Sequence, residues 1–324
     1  MLSKSRGGRA FQYVLVLVLA ISLNFFLPRM MPGNPLALLA GVDVGLMTQE
    51  ERDEVMADAG LDKPLLIQYI NYWGNLLQGD FGYSYRQKRP ITDLILARLP
   101  YTLGLAISSL VVAAVVGVTA GAYSAWKRAS TRDVGLLWGM ITINSMPSFW
   151  LGMLLISVVS VKFGLLPSFG AETPASGLEG VDRLVDIGKH LILPVLTLTV
   201  LTIPAIYLTT RYTMLSVLGS DYIRTARAKG ASESRVLFAH ALRNSLAPVV
   251  TILALRLGFA FGGTVVIETV FSYPGLGRLM FEAVGGRDFP VMQAGFLLIT
   301  IAVLFFNLLA DFMYQFLDPR TKGQ

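Results

Sequence analysis

The sequence predicts an all-α membrane protein of six transmembrane helices, and three observations carry that reading. Apolar residues make up 54% of the chain and charged residues only 15%, a balance that suits a lipid-exposed surface better than a soluble globule. Six apolar runs, at 11–27, 99–125, 134–161, 191–208, 246–270 and 291–317, reach the length that crosses a hydrocarbon core, roughly 17–25 helical residues or more when tilted. The basic residues gather in alternate short connections between those runs.

The charge bias sets an orientation. Lys4, Arg6 and Arg9 precede the first span, and Lys127, Arg128 and Arg132 follow the second. Arg211, Arg224, Arg227, Lys229, Arg235 and Arg243 follow the fourth, and Arg320 and Lys322 follow the sixth. The same segments hold the acids Asp133, Asp221, Glu233 and Asp318, whereas the alternate segments hold more acids than bases. Inner loops concentrate Lys and Arg, so both termini are expected in the cytoplasm.

A cytoplasmic tail of residues 1–10 leads into the first span at 11–27. Pro28-Arg29-Met30-Met31-Pro32 follows with no small-x-small cleavage site, so the span is read as a retained anchor. Residues 28–98 form an external cap region. There Thr48-Gln49-Glu50-Glu51 reads as a capping box for a short helix that Gly60 can close. A second helix from Pro64 to Leu77 places Leu65, Ile67, Tyr69, Ile70, Trp73, Leu76 and Leu77 on an apolar face broken by Gln68, Asn71 and Asn75. With Tyr72, Tyr83 and Tyr85 it is expected to lie at headgroup level. The core, 99–317, holds the second to sixth spans, an external loop at 163–189 made irregular by Pro174, Gly177 and Gly180, and a cytoplasmic loop at 213–245. A tail of 318–324 ends the chain. Pro147, Pro194, Pro204, Gly258, Gly262 and Gly263 fall inside spans, where broken backbone survives only against protein or water.

Several chemistries are excluded. The chain has no cysteine, hence no disulfide or thiolate site, and its two histidines, His190 and His240, lie far apart. There are no paired catalytic acids and no nucleophile with its base, so the chain reads as a non-enzyme. No Gly-x-x-x-x-Gly-Lys-Ser/Thr phosphate loop occurs. The net charge of +6 is spread over short loops, which argues against nucleic acid and for contact with membrane lipid. Two ionisable residues lie well inside spans, Arg256 and Asp311. An arginine at mid-membrane costs about 2.5–3.5 kcal/mol on insertion scales, so Arg256 is expected to face protein or water. It either pairs with Asp311 or snorkels, or else serves as a pathway cation. Asn144 joins these two as a pathway candidate.

The loop after the fourth span reads as two short helices around a glycine. Asp221 to Lys229 are good helix formers, Gly230 supplies a permissive turn, and Ser232 can cap the next helix. Such a basic elbow is suited to docking, although a solvated loop or a headgroup patch would carry the same charges.

At these residues the chain resembles the type I ABC importer permeases, in the B-type membrane subunit of the dipeptide/oligopeptide/nickel branch. Tyr222-Ile223-Arg224-Thr225-Ala226-Arg227-Ala228-Lys229-Gly230 and His240-Ala241-Leu242-Arg243-Asn244 are similar to that branch's form of the EAA loop. Arg224 and Thr225 stand where the broad consensus has Glu and Ala, and Arg243 where it has Pro. Further stretches extend the resemblance: Met31-Pro32-Gly33-Asn34-Pro35, Gly79-Asp80-Phe81-Gly82, Arg98-Leu99-Pro100-Tyr101, Pro147-Ser148-Phe149-Trp150, Tyr273-Pro274-Gly275-Leu276 and Leu317-Asp318-Pro319-Arg320.

The resemblance implies a type I permease fold in a prokaryotic inner membrane and a part in binding-protein-dependent transport. It implies four kinds of partner: a homologous C-type permease, two cytosolic ATPase subunits that hold the ATP and magnesium, an external binding protein, and lipid. It assigns ATPase coupling to Tyr222, Arg224, Thr225, Ala226, Arg227, Ala228, Lys229, Gly230, Ser232 and Glu233. Di- and oligopeptides are the expected cargo, with nickel or metal chelates and oligosaccharides as alternatives in the same machine. A secondary transporter is the alternative of another class, and it would need more intramembrane ionisable groups than Arg256 and Asp311.

The orientation is testable with single cysteines. A cysteine introduced beside Glu51 should react with an impermeant maleimide on intact cells, and one beside Glu233 only after the membrane is breached. The opposite pattern would invert the topology.

Overall fold

A computed structural model describes residues 6–30, 48–58 and 60–317. Helix α1 (Arg6–Met30) is followed by α2 (Gln49–Asp58), α3 (Leu65–Leu77), a two-stranded antiparallel hairpin of β1 (Tyr83–Ser84) and β2 (Arg89–Pro90), and α4 (Ile91–Trp126). Then come α5 (Thr131–Asn144), α6 (Ser148–Leu155) with a π-helical extension (Ile156–Lys162), α7 (Gly180–Leu218) and α8 (Asp221–Ala228). After the elbow, α9 (Glu233–Arg235), a second π-helical stretch (Val236–Leu242) and α10 (Arg243–Gly263) run on as one element. Helices α11 (Val265–Val270), α12 (Leu276–Gly286) and α13 (Phe289–Leu317) close the chain.

Among the described residues, five helices are long and apolar enough to cross a membrane, and a sixth crossing is available if α5 and α6 with its extension form one broken span. That pair corrects the expectation of a single third span at 134–161: its halves are bent by 98° around Ser145-Met146-Pro147. Proline donates no backbone hydrogen bond and disfavours helix in the residue before it, so the chain turns there and restarts with Pro147 as the N-cap of α6. The fourth span is also longer than the apolar run at 191–208. Helix α7 begins at Gly180, inside the loop expected at 163–189, and ends at the cap Gly219, inside the expected loop at 213–245. Pro194 and Pro204 are accommodated within it. The fifth span breaks after Gly263, with Thr264 between α10 and α11.

The chain divides into two compact units. The first comprises 1–102 and 274–304. In it the capping box forms as read: Thr48 N–H and hydroxyl both donate to Glu51 Oε2, at 2.8 and 3.0 Å, and Glu51 N–H donates to Thr48 Oγ1 at 3.3 Å. The Thr48 N–H and hydroxyl hold the Glu51 carboxyl below its ordinary pKa. Gly60, at φ +63°, turns the chain out of α2, with Leu61 N–H on Met56 O. Helix α3 carries no charged side chain and packs on α1, where the Tyr69 hydroxyl meets that of Ser22 at 2.7 Å and Phe25 lies against Tyr69 and Tyr72. Its other side leaves Leu66 and Ile70 exposed, as an interfacial helix requires. Asn24 and Gln293 exchange reciprocal amide-to-backbone bonds of 2.8 and 2.6 Å, tying α1 to α13. The hairpin, unforeseen from the sequence, is fixed by Ser84, whose hydroxyl donates to the buried Asp288 at 2.5 Å.

The second unit comprises 103–273 and 305–324. Its long helix α7 packs against α10, α5 and α6. Two glycines one helical turn apart, Gly117 and Gly121, bring α4 against α7. A Cβ at Gly117 would stand 2.8 Å from Ile206 Cβ, and one at Gly121 would stand 2.7 Å from the backbone oxygen of Tyr207. Small residues at this spacing let helix backbones approach where lipid provides no hydrophobic drive.

Gly121→Ala should therefore lower the thermal midpoint of the detergent-solubilised protein, with a loss of about 1–3 kcal/mol, because backbone cannot yield to the new methyl. Gly104→Ala, in the same helix with open space around it, should be neutral or gain up to about 1 kcal/mol from helix propensity. Equal effects would refute the close contact.

Candidate functional site

The elbow after the fourth span forms around Gly230 much as its residues dictate. Helix α8 opens after Ser220 and ends at Lys229, where Gly230 takes φ +81° and Ala231 N–H bonds back to Ala226 O at 3.1 Å. No atom stands within 4 Å of a Cβ built on Gly230, so the glycine is required by its dihedral alone and not by crowding. Ser232 then caps the next helix, its Oγ accepting from Arg235 N–H. Across the turn Arg227 donates from Nε and Nη2 to the two oxygens of Glu233 at 2.8 and 3.2 Å. That bidentate contact raises the Arg227 pKa above its ordinary value.

The elbow is held by its apolar side and offers its polar one. Ile223 is fully buried, and beyond the turn Leu237 and Ala241 pack with Ala122, Ala125 and Met214. Tyr222, Arg224, Thr225, Arg227, Ala228, Lys229, Ser232 and Glu233 are exposed, and Ala226 is half-buried. A notch of about 400 Å³ lies within the elbow, lined by Tyr222, Thr225, Lys229, Gly230, Arg235 and His240. The Tyr222 hydroxyl accepts from Asn244 at 3.0 Å. One expectation is corrected: the residues after Gly230 form no separate short helix but continue through the π-helical stretch into α10. The elbow is thus continuous with a spanning helix.

A buried polar network adjoins it, and it corrects the reading of Arg211 as a loop charge. Arg211 lies in α7, 9% exposed, and donates from Nε and Nη2 to the two oxygens of Asp133 at 2.8 and 2.9 Å. The Ser124 hydroxyl also donates to Asp133 and meets the Tyr207 hydroxyl at 2.6 Å. Ala129 N–H donates to Asp133 Oδ2 at 2.9 Å. The carboxylate thus gathers α4, α5 and α7 at one point. The chain carried a signal for this: Gly219 is the helix stop, which puts Arg211 two turns inside α7.

The pathway candidates lie on three helices of the second unit. Arg256 is exposed on α10 and Asp311 is half-buried on α13. Asn144 is exposed at the last position of α5, on the edge of the 98° break.

Comparison with known proteins agrees with this architecture. Residues 117–323 match the family described as binding-protein-dependent transport system inner membrane component, and residues 7–106 match its N-terminal counterpart. The chain belongs to this family of permeases. It is 39% identical over 301 residues to the oligopeptide transport system permease protein AppB of Bacillus subtilis, covering 93% of each chain. It is 38% identical over 317 residues to the dipeptide transport system permease protein DppB of Escherichia coli K12, again covering 93% of each. The glutathione transport system permease protein GsiC of the same strain is 40% identical over 300 residues, covering 93% of this chain and 92% of that one. The permease superposes on a chain of the inward-facing MetNI methionine ABC transporter with a TM-score of 0.57, covering 69% of this chain and 96% of that one at 18% identity, which shows a shared fold. The protein is thus a multi-pass inner-membrane permease component of an ABC importer with the type I fold.

The buried ion pair yields a stability test. Asp133→Asn should destabilise the permease by about 3–5 kcal/mol, because it strands the Arg211 guanidinium among buried groups. The double change Asp133→Leu with Arg211→Met should recover most of that loss, read as the thermal midpoint in detergent. A double variant no better than the single one would show that the two residues act independently.

Proposed function

We propose that this permease is one of two membrane halves of an ATP-driven importer of di- and oligopeptides, and that the elbow at 221–233 is its contact with the ATPases. The observation that carries the reading is the exposed cationic elbow, shaped by the left-handed Gly230, clasped by Arg227 and Glu233, and continuous with α10. The peptide cargo is supported by the peptide and glutathione permeases among the relatives. The other half is a homologous C-type subunit, and cargo arrives from an external binding protein. Two cytosolic ATPases hold the ATP and magnesium, in keeping with the lack of a phosphate loop in this sequence. The loop charges favour both termini, the elbow included, on the cytoplasmic side and the region 28–98 outside.

In this scheme the ATPase dimer grips the elbow more tightly in one of two states of the paired permeases. Only that difference in affinity can move the membrane helices from inward-open to outward-open. Closure acts on α8, passes through the turn at Gly230, and reaches α10. Arg256 on α10 and Asn144 at the break beside α6 are proposed to face the cargo, the guanidinium meeting a carboxylate.

The test is reconstitution of the importer in liposomes with its ATPases and binding protein. Uptake of a short peptide should require ATP and the binding protein together. Gly230→Val should cut uptake at least tenfold while ATP hydrolysis and membrane insertion persist, since a β-branched residue at φ +81° costs about 1–2 kcal/mol in the turn. Gly230→Asn should be milder, asparagine being tolerant of the left-handed region. Uptake at the wild-type rate in Gly230→Val would refute the coupling role, and uptake without ATP would refute the importer.

A further inference from the structure

A second charged site lies in the first unit. An open cavity of about 630 Å³, of the size of small-ligand pockets, is lined by the C-terminal end of α1, helix α3, the hairpin and the start of α13. Arg29 and Asp80 both line it, together with Tyr72, Asn75, Tyr83 and Gln293. These opposite charges do not neutralise each other: Arg29 forms no ion pair with Asp80 or with any other described carboxylate.

Each charge is instead held by its own segment. The Arg29 guanidinium donates from Nε and Nη2 to Gln68 Oε1 at 3.2 and 3.0 Å and from Nη1 to Phe25 O at 2.9 Å, and it lies 3.7 Å over the Phe25 ring. Among the described residues, three of its five N–H groups find a partner. Asp80 sits after α3, one oxygen accepting from Gly82 N–H at 2.8 Å, and its carboxylate is exposed. Burial pushes the Tyr72 phenol up to about 12, so it stays a neutral hydrogen-bond donor. A half-buried arginine without a counter-charge is costly and gains most from an oxyanion supplied from outside. A fixed carboxylate across the same cavity favours a ligand with a cationic end as well.

We propose that this cavity binds a small zwitterion, its carboxylate on Arg29 and its ammonium group on Asp80, as the two free termini of a short peptide would provide. The assignment rests on the reading of peptides as cargo, and it places a cargo-binding step in the first unit. A phospholipid ethanolamine headgroup offers the same pair of charges, so the test separates the two sources.

The native chain has no cysteine, so Asn75→Cys places a single thiol at the cavity. In the complete importer, held in phosphatidylcholine nanodiscs without its binding protein, trialanine should slow maleimide labelling of that thiol at least fivefold. N-acetylated or C-amidated trialanine should not. Arg29→Gln and Asp80→Asn should each raise the half-protecting concentration at least tenfold, and the exposed Asp80 keeps the test available should the arginine variant misfold. Labelling that trialanine leaves unchanged, or protection that neither substitution moves, would overturn the site. So would protection that appears without peptide in ethanolamine-lipid nanodiscs and vanishes in Arg29→Gln, which would assign the cavity to a headgroup. ATP-driven trialanine uptake without protection sinks this site alone, whereas failure of uptake for every peptide, with another cargo transported, sinks the wider reading.

Discussion

The close crossing of α4 and α7 at Gly117 and Gly121 is the contact on which the second unit depends. In lipid an apolar side chain gains nothing by leaving hydrocarbon for protein, so helices are held by near backbone contact and by polar groups that find each other. Both devices occur along this one seam. Two glycines admit the Ile206 and Tyr207 region of α7, and one turn further along Ser124, Arg211 and Asp133 close a hydrogen-bonded ring that takes in α5, with the Tyr207 hydroxyl on Ser124. Because α7 is also the helix on which α10 and α6 pack, the seam sets the reference against which the elbow and the broken third span are placed.

The first unit is built on another principle. Its contacts are aromatic and amide-based: Phe25 with Tyr69 and Tyr72, Asn24 with Gln293, and the Thr102 hydroxyl accepting the Leu276 N–H at the start of α12. Asp288 ends this series, taking the Ser84 hydroxyl and capping α13 through Val291 N–H. Ser84, Thr102 and Asp288 are buried, so these polar groups are satisfied within the protein itself.

What the sequence made legible was local. The Thr48–Glu51 box, the turns at Gly60 and Gly230 and the cap at Ser232 each depend on residues within about one helical turn, where the chemistry of a few side chains decides the backbone. The order of the spans was legible for the same reason, because hydropathy is summed over a continuous run, and their number agrees if the bent α5–α6 pair is one span. Other features depend on residues far apart in the chain. Asp133 and Arg211 look like two loop charges until α5 and α7 are side by side, and Ser84 reveals nothing of Asp288 some two hundred positions on. The Gly117 and Gly121 spacing was visible in an apolar run, yet only the facing helix shows that it is used. The break at Pro147 was marked by the proline, but its 98° angle is a matter of packing.

The turn at Gly230 is set by a backbone dihedral and owes nothing to crowding by its surroundings. A surface of that kind can evolve without repacking. Side chains at 224, 225, 228 and 229 are exposed around that turn, so their charge and size can vary while the frame keeps its shape. One joint can thus present different faces by exchange of a few exposed residues, its geometry unchanged.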